Sequence, residues 1–183
     1  MKHLILIIAI AIVPFLGNAQ TSVFDKFDGN DDVTTISVSK KAFQLMAKFG
    51  GVNEEAQEYA NMVESLEGLK VFTTEDKTIA LEMQSTVSKY LKNSNLSELF
   101  AVNDKEANVR IYVKEGKDDD HVKELLMFVN GIGKHIEDND LGRSAEAVVL
   151  SLTGDIDLNK IAKLAEQMNI SGAEHLKKSK EIK

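Results

Sequence analysis

Asp155, Asp157 and Asn159 stand two residues apart, and Glu166 follows eleven residues after the first. Oxygen-bearing side chains at these places match the first, third, fifth and twelfth positions of a calcium-binding loop. Lys160, however, occupies the position where such a loop needs its turn glycine. Ile161, Leu164, Ala165 and Met168 also share a helical stripe, which requires the chain to be wound from Leu158 onward. Asp157 then reads as the helix cap, a role that stabilises by about 0.5 to 2 kcal/mol relative to alanine. Asp28, Asn30 and Asp32 begin a similar pattern, but Val33 and Ser39 replace the glycine and the bidentate glutamate, so an acidic turn is the simpler reading.

Other reactive groupings are sparse. Asp118-Asp119-Asp120-His121 offers three carboxylates and an imidazole, yet neighbours along a turn diverge, and a metal site needs convergence. His135 and His175 stand alone in polar stretches. No Gly-x-Ser-x-Gly elbow occurs, and Gly131-Ile132-Gly133 lacks the third glycine of a dinucleotide loop. Glu98, Glu106, Glu124 and Glu146 could form a carboxylate pair only if folding brings them together. Arg110, Tyr112 and Lys114 share one parity of a strand, a mixture of ring and cations that suits a contact surface and equally an ordinary wet face. These residues imply no cofactor and no catalytic centre. A periplasmic hydrolase or a calcium-binding protein, with a site built from acidic side chains, is the alternative.

Composition sets the address. Lys2 and His3, the apolar run from Leu4 to Leu16, and Gly17-Asn18-Ala19 have the three parts of an export signal, so residues 1–19 are expected to be removed. That leader contains one lysine and no acid, which leaves 21 basic side chains against 29 acidic ones. A net charge of this sign disfavours a general nucleic-acid binder. With no cysteine anywhere, disulfides, thiol nucleophiles, cysteine zinc sites and a lipidated cysteine are all excluded. Nothing after the leader is apolar enough to serve as a membrane anchor. The expected place is the periplasm or the cell exterior, and the expected partner is a protein.

The elements that must position these residues follow from periodicity. Residues 20–32 read as a polar lead-in that docks an aromatic or two, 33–170 as a single domain, and 171–183 as a lysine-rich tail. Val33 to Val38 reads as a strand, followed by a helix capped at Ser39 and stopped by Gly50-Gly51. A second helix starts after Asn53 and is expected to end at Gly68. A strand at Leu69 to Thr73 and a long helix from Lys77 to Lys92 come next. Four strand-like runs follow from Leu96. Val109, Ile111 and Val113 alternate with polar residues, whereas Leu125 to Val129 and Ala147 to Leu150 are apolar on both parities, as in strands that are covered on both faces or lie centrally. Gly154 to Asp157 reads as a turn into the last helix. The fold class is α+β: a mixed or mainly antiparallel sheet with helices packed on one face, a ferredoxin-like centre being one arrangement of that kind.

The run Leu150-Ser151-Leu152-Thr153-Gly154-Asp155-Ile156-Asp157-Leu158, with the Lys160 to Leu164 helix after it, resembles an exported bacterial family catalogued as domain of unknown function 4252. Asn108 to Glu115 and Glu124 to Val129 fit the same resemblance. It implies a small exported α+β protein of uncharacterised role, and it supplies no catalytic residues. Some members are lipoproteins, from which this chain departs by having no cysteine. The reading is therefore an exported, non-enzymatic domain that acts through protein contacts in the cell envelope or outside the cell.

Overall fold

The computed structural model describes residues 22–49, 54–103, 108–131 and 145–161. The leader, His135 and most of the loop after Asn130, Glu166, His175 and the lysine-rich tail lie outside them.

Five of the seven residues of β1 (Val33–Ser39) are β-branched, which favours extended backbone. Ser39 then ends the strand and caps α1 (Lys40–Phe49), its hydroxyl accepting the Ala42 N–H at 3.3 Å. After α2 (Glu54–Glu64) come β2 (Leu66–Thr74) and the 17-residue α3 (Lys77–Asn93), capped by Asp76, which accepts the Ile79 N–H at 2.8 Å. Four strands follow as the periodicity predicts: β3 (Ser97–Asn103), β4 (Asn108–Glu115), β5 (His121–Asn130) and β6 (Ala147–Asp157). A helical turn begins at Leu158. All six strands form one antiparallel sheet in the order β1-β2-β6-β5-β4-β3. The chain thus makes a β3 to β6 meander and returns β6 beside β2. The α+β class holds, and the ferredoxin-like centre is not confirmed by this strand order.

Helices cover both faces of the sheet, which corrects the one-face expectation. On the first face, Phe72, Leu126, Phe128, Ala147 and Val149 pack beneath Met83 and Val87 of α3. On the second face, Leu125, Leu152 and Ile156 pack with Phe43 of α1 and with Met62 and Val63 of α2. The physical reason lies in the strands themselves. Side chains alternate across a strand, so runs that are apolar on both parities need cover on both sides.

Residues 22–32 dock two aromatic side chains, Phe24 and Phe27, into the core. A single 3-10 turn, Asp25–Phe27, drives Phe24 and Phe27 into the first face, where they are 1% and 2% exposed. Their rings lie 6.5 and 6.2 Å from that of Phe72, and Tyr90 meets Phe24 edge-on at 5.6 Å. Lys70 forms an ion pair with Asp25 that fixes the turn to β2.

Two glycines whose positions suggest the ends of elements are strand residues instead. The second helix stops at Glu64, and Gly68 lies within β2 at a register shift against β6. Gly154 lies opposite that shift with φ +140°, inside a strand that continues to Asp157. A Cβ there would stand 2.6 Å from the Ser65 carbonyl oxygen. Bulges, not turns, need these glycines.

Candidate functional site

Asp155, Asp157 and Asn159 meet the Asp118–His121 turn at one end of the sheet, where the β4–β5 hairpin meets the end of β6, while Asp28, Asn30 and Asp32 precede β1 at the other end. Gly116 N–H donates to the His121 carbonyl at 2.9 Å and Leu158 N–H to the Asp120 carbonyl at 3.0 Å, so hairpin and helix start are tied together. Asp157 is the cap expected of it, accepting the N–H groups of Asn159 at 3.0 Å and Lys160 at 3.3 Å. Asp155, two residues earlier on β6, pairs with Lys117 at 2.6 Å. That hydrogen bond holds the lysine above its ordinary pKa. The Asp155, Asp157 and Asn159 oxygens therefore sit on a strand end and a helix start, not around a loop, and Glu166 lies outside the described residues.

His121 Nδ1 lies 2.6 Å from Asp118 Oδ1, which also accepts the Asp120 N–H at 3.0 Å. The contact with His121 keeps the Asp118 carboxyl below the usual carboxylate range. Asp118 thereby closes the hairpin end as a turn residue does. Among the described residues, no group of three or more His, Asp or Glu side chains is arranged to hold a metal ion.

Arg110, Tyr112 and Lys114 do share a face, as strand period demands, but it is the first face, and Tyr112 packs against its core. Arg110 pairs with Glu98 at 3.3 Å across β3 and β4, and Lys114 stands opposite Glu124 of β5. Of the three, Tyr112 is given over to the core, while the Arg110–Glu98 pair stays on the surface.

Sequence reasoning missed the pair formed by Tyr90 and Glu124. Glu124 is a carboxylate only 8% exposed, beneath α3, and the Tyr90 hydroxyl lies 2.7 and 2.9 Å from its two oxygens. The signal was present: Glu124 has the same parity as buried Leu126 and Phe128, so its side chain must enter the core. Burial, then the bond to Glu124 and its charge, push the Tyr90 hydroxyl well above the ordinary value of 10.0. A group whose pKa is raised by folding contributes fully below its unfolded value and loses that contribution as pH rises through the folded one. Tyr90→Phe should therefore cost about 1 to 3 kcal/mol at neutral pH, by leaving a buried carboxylate without its donor. It should also flatten the fall in stability above pH 10. Urea melts at pH 7 and pH 11 check this; equal alkaline losses in both proteins would contradict it.

One further feature of the sheet is open. β1 is its outer strand beside β2, and the pairing between them is regular over seven residue pairs. Thr74 Oγ1 donates to the Asp32 carbonyl at 2.8 Å, and the Thr74 carbonyl in turn accepts the Glu146 N–H at 2.8 Å on its β6 side. Antiparallel ladders alternate, so Thr34, Ile36 and Val38 bond to β2, while the main-chain groups of Thr35 and Ser37 face outward. Among the described residues nothing pairs with them. The opposite outer strand, β3, differs: it carries a bulge between Glu98 and Phe100 and the Glu98–Arg110 ion pair. Those are devices that blunt an edge, and β1 has neither, nor any charge or proline. Ile36 is 54% exposed.

No described helix is long and apolar enough to cross a membrane. No curated protein and no solved structure matches the chain. Residues 27–164 match the family model described as a domain of unknown function, number 4252, and the chain belongs to that family.

Proposed function

We propose that this protein is an exported, non-catalytic binding domain that works through protein contacts in the cell envelope or outside the cell, with the outer edge of β1 as its contact surface. The observation that carries this reading is the regular, uncharged β1 edge, whose Thr35 and Ser37 main-chain groups are directed away from the sheet. Strand addition to such an edge supplies main-chain hydrogen bonds and needs no deep pocket. The leader pattern in residues 1–19 supports export. Among the described acidic groups that a periplasmic hydrolase or a calcium site would use, Asp157 caps the helix start, Asp155 pairs with Lys117 and Asp118 closes the hairpin end.

The test is a photo-crosslinking side chain placed at Ile36 in living cells, with Leu81, which is 66% exposed on α3, as the control position. The chain should fractionate with the envelope or medium and give discrete adducts from position 36 but not from 81. A cytosolic chain, or position 36 giving no more adduct than position 81, would overturn the reading.

A further inference from the structure

We propose that the occupant of the β1 edge is β1 of a second copy, paired antiparallel about a two-fold axis at Ile36 to give a continuous twelve-stranded sheet. The inference rests on the reading of β1 as the contact surface and names its partner.

Three observations converge on this register. The first is hydrogen bonding. With Ile36 opposite Ile36, Thr35 of each copy faces Ser37 of the other, so the residues with outward main-chain groups exchange both of their bonds. A shift of one residue would set outward groups against groups already bonded to β2. The second is charge. β1 is flanked by Asp31-Asp32 on one side and Lys40-Lys41 on the other, all four exposed. Antiparallel self-pairing brings the acidic end of each copy to the lysine end of its mate, twice per dimer. Lys40 already meets Glu67 at 3.2 Å, but both side chains are more than half exposed, and such a pair is easily rearranged. A parallel arrangement would instead place acid against acid.

The third observation is apolar. Ile36 and Val38 have the same parity, and Val38 packs on the second face, where α1 lies. On that side α1 also exposes Leu45 and Met46, which are 44% and 45% accessible. A two-fold at Ile36 lays the two isoleucines side by side at a non-hydrogen-bonded position, where side chains approach most closely. It also sets the α1 helices of the two copies beside one another. A self-complementary patch is what a two-fold dimer requires.

The absence of cysteine makes the register directly measurable. At a non-hydrogen-bonded pair the Cα atoms stand about 4.5 Å apart, within disulfide reach. Purified Ile36→Cys should form a disulfide dimer under mild oxidation at least about tenfold faster than Thr34→Cys or Leu81→Cys, because only residue 36 meets itself across this axis. Thr34→Cys mixed with Val38→Cys should give the heterodimer, since those positions face each other. By sedimentation, Asp32→Lys should weaken dimerisation about tenfold, and adding Lys40→Asp should restore it. Circular dichroism on each variant establishes that it is folded. Position 36 oxidising no faster than position 81, or a chain that stays monomeric at the highest soluble concentration, would overturn self-pairing. If such a monomer still gives adducts from position 36 in cells with proteins other than itself, the contact surface stands and only its occupant is wrong.

Discussion

Phe72→Ala should destabilise the domain by about 3 to 5 kcal/mol, the range for removing a fully buried phenyl ring. Phe72 has no exposed surface and lies in β2, where the 3-10 turn, α3 and the central strands meet. Two other phenyl rings rest within 6.5 Å of its centroid, so the void left by alanine is walled by rigid groups that cannot collapse into it. Against a typical total of about 5 to 15 kcal/mol, that loss removes roughly a fifth or more of the folding free energy. Chemical denaturation of both proteins measures it. The same substitution at half-buried Phe100 should cost far less, and equal losses at the two positions would show that the first face is not the principal core.

Gly154→Ala is the second large effect. Two penalties add: alanine is strained at φ +140°, and its Cβ would lie within 2.9 Å of three backbone atoms of Ser65, Leu66 and Glu67. Strain of about 1 to 3 kcal/mol and overpacking of similar size give about 2 to 6 kcal/mol together. Backbone atoms cannot move aside as a lysine tip can, and the strand on the other side of the clash is held by Asp155 N–H to the Ser65 carbonyl at 3.0 Å. Gly29→Ala is the control: φ is +76°, but nothing lies within 4 Å of the added carbon, so only the conformational penalty remains. A thermal shift at Gly154 no larger than that at Gly29 would contradict the close approach.

The contrast between these glycines also shows where local sequence signals stop. Periodicity locates β3 to β5, the start of β6 and α3 to within a few residues, because burial on one or both sides leaves its imprint at every second or every third to fourth position. Ser39, Asp76 and Asp157 sit where capping chemistry wants them. Gly68 and Gly154 were misread because a glycine beside a helix end looks the same whether it closes the helix or lets two strands approach. That difference lies in the β2–β6 register, which sets Leu66 against Gly154 and Gly68 against Thr153, more than 80 positions away in sequence. The sharing of helices between the two faces was half visible, in the two-sided apolar runs of β5 and β6, and the one-face expectation set that signal aside. The Tyr90–Glu124 pair was visible only as a carboxylate of the wrong parity. The openness of the β1 edge could not be read at all from local pattern. Val33 to Ser39 would look the same in the middle of a sheet, and only the strand order makes it an edge.

Hydrogen exchange of the β1 amides in dilute solution tests the central claim most directly. An open edge on an otherwise firm sheet predicts alternation: Thr35 and Ser37 exchange fast, Thr34, Ile36 and Val38 exchange slowly, and the fast pair becomes protected as concentration rises or a partner is added. Uniform protection across Thr34 to Val38 in the dilute chain would mean the edge is already covered. Uniformly fast exchange would mean that β1 is not held by β2, and either result would contradict the account.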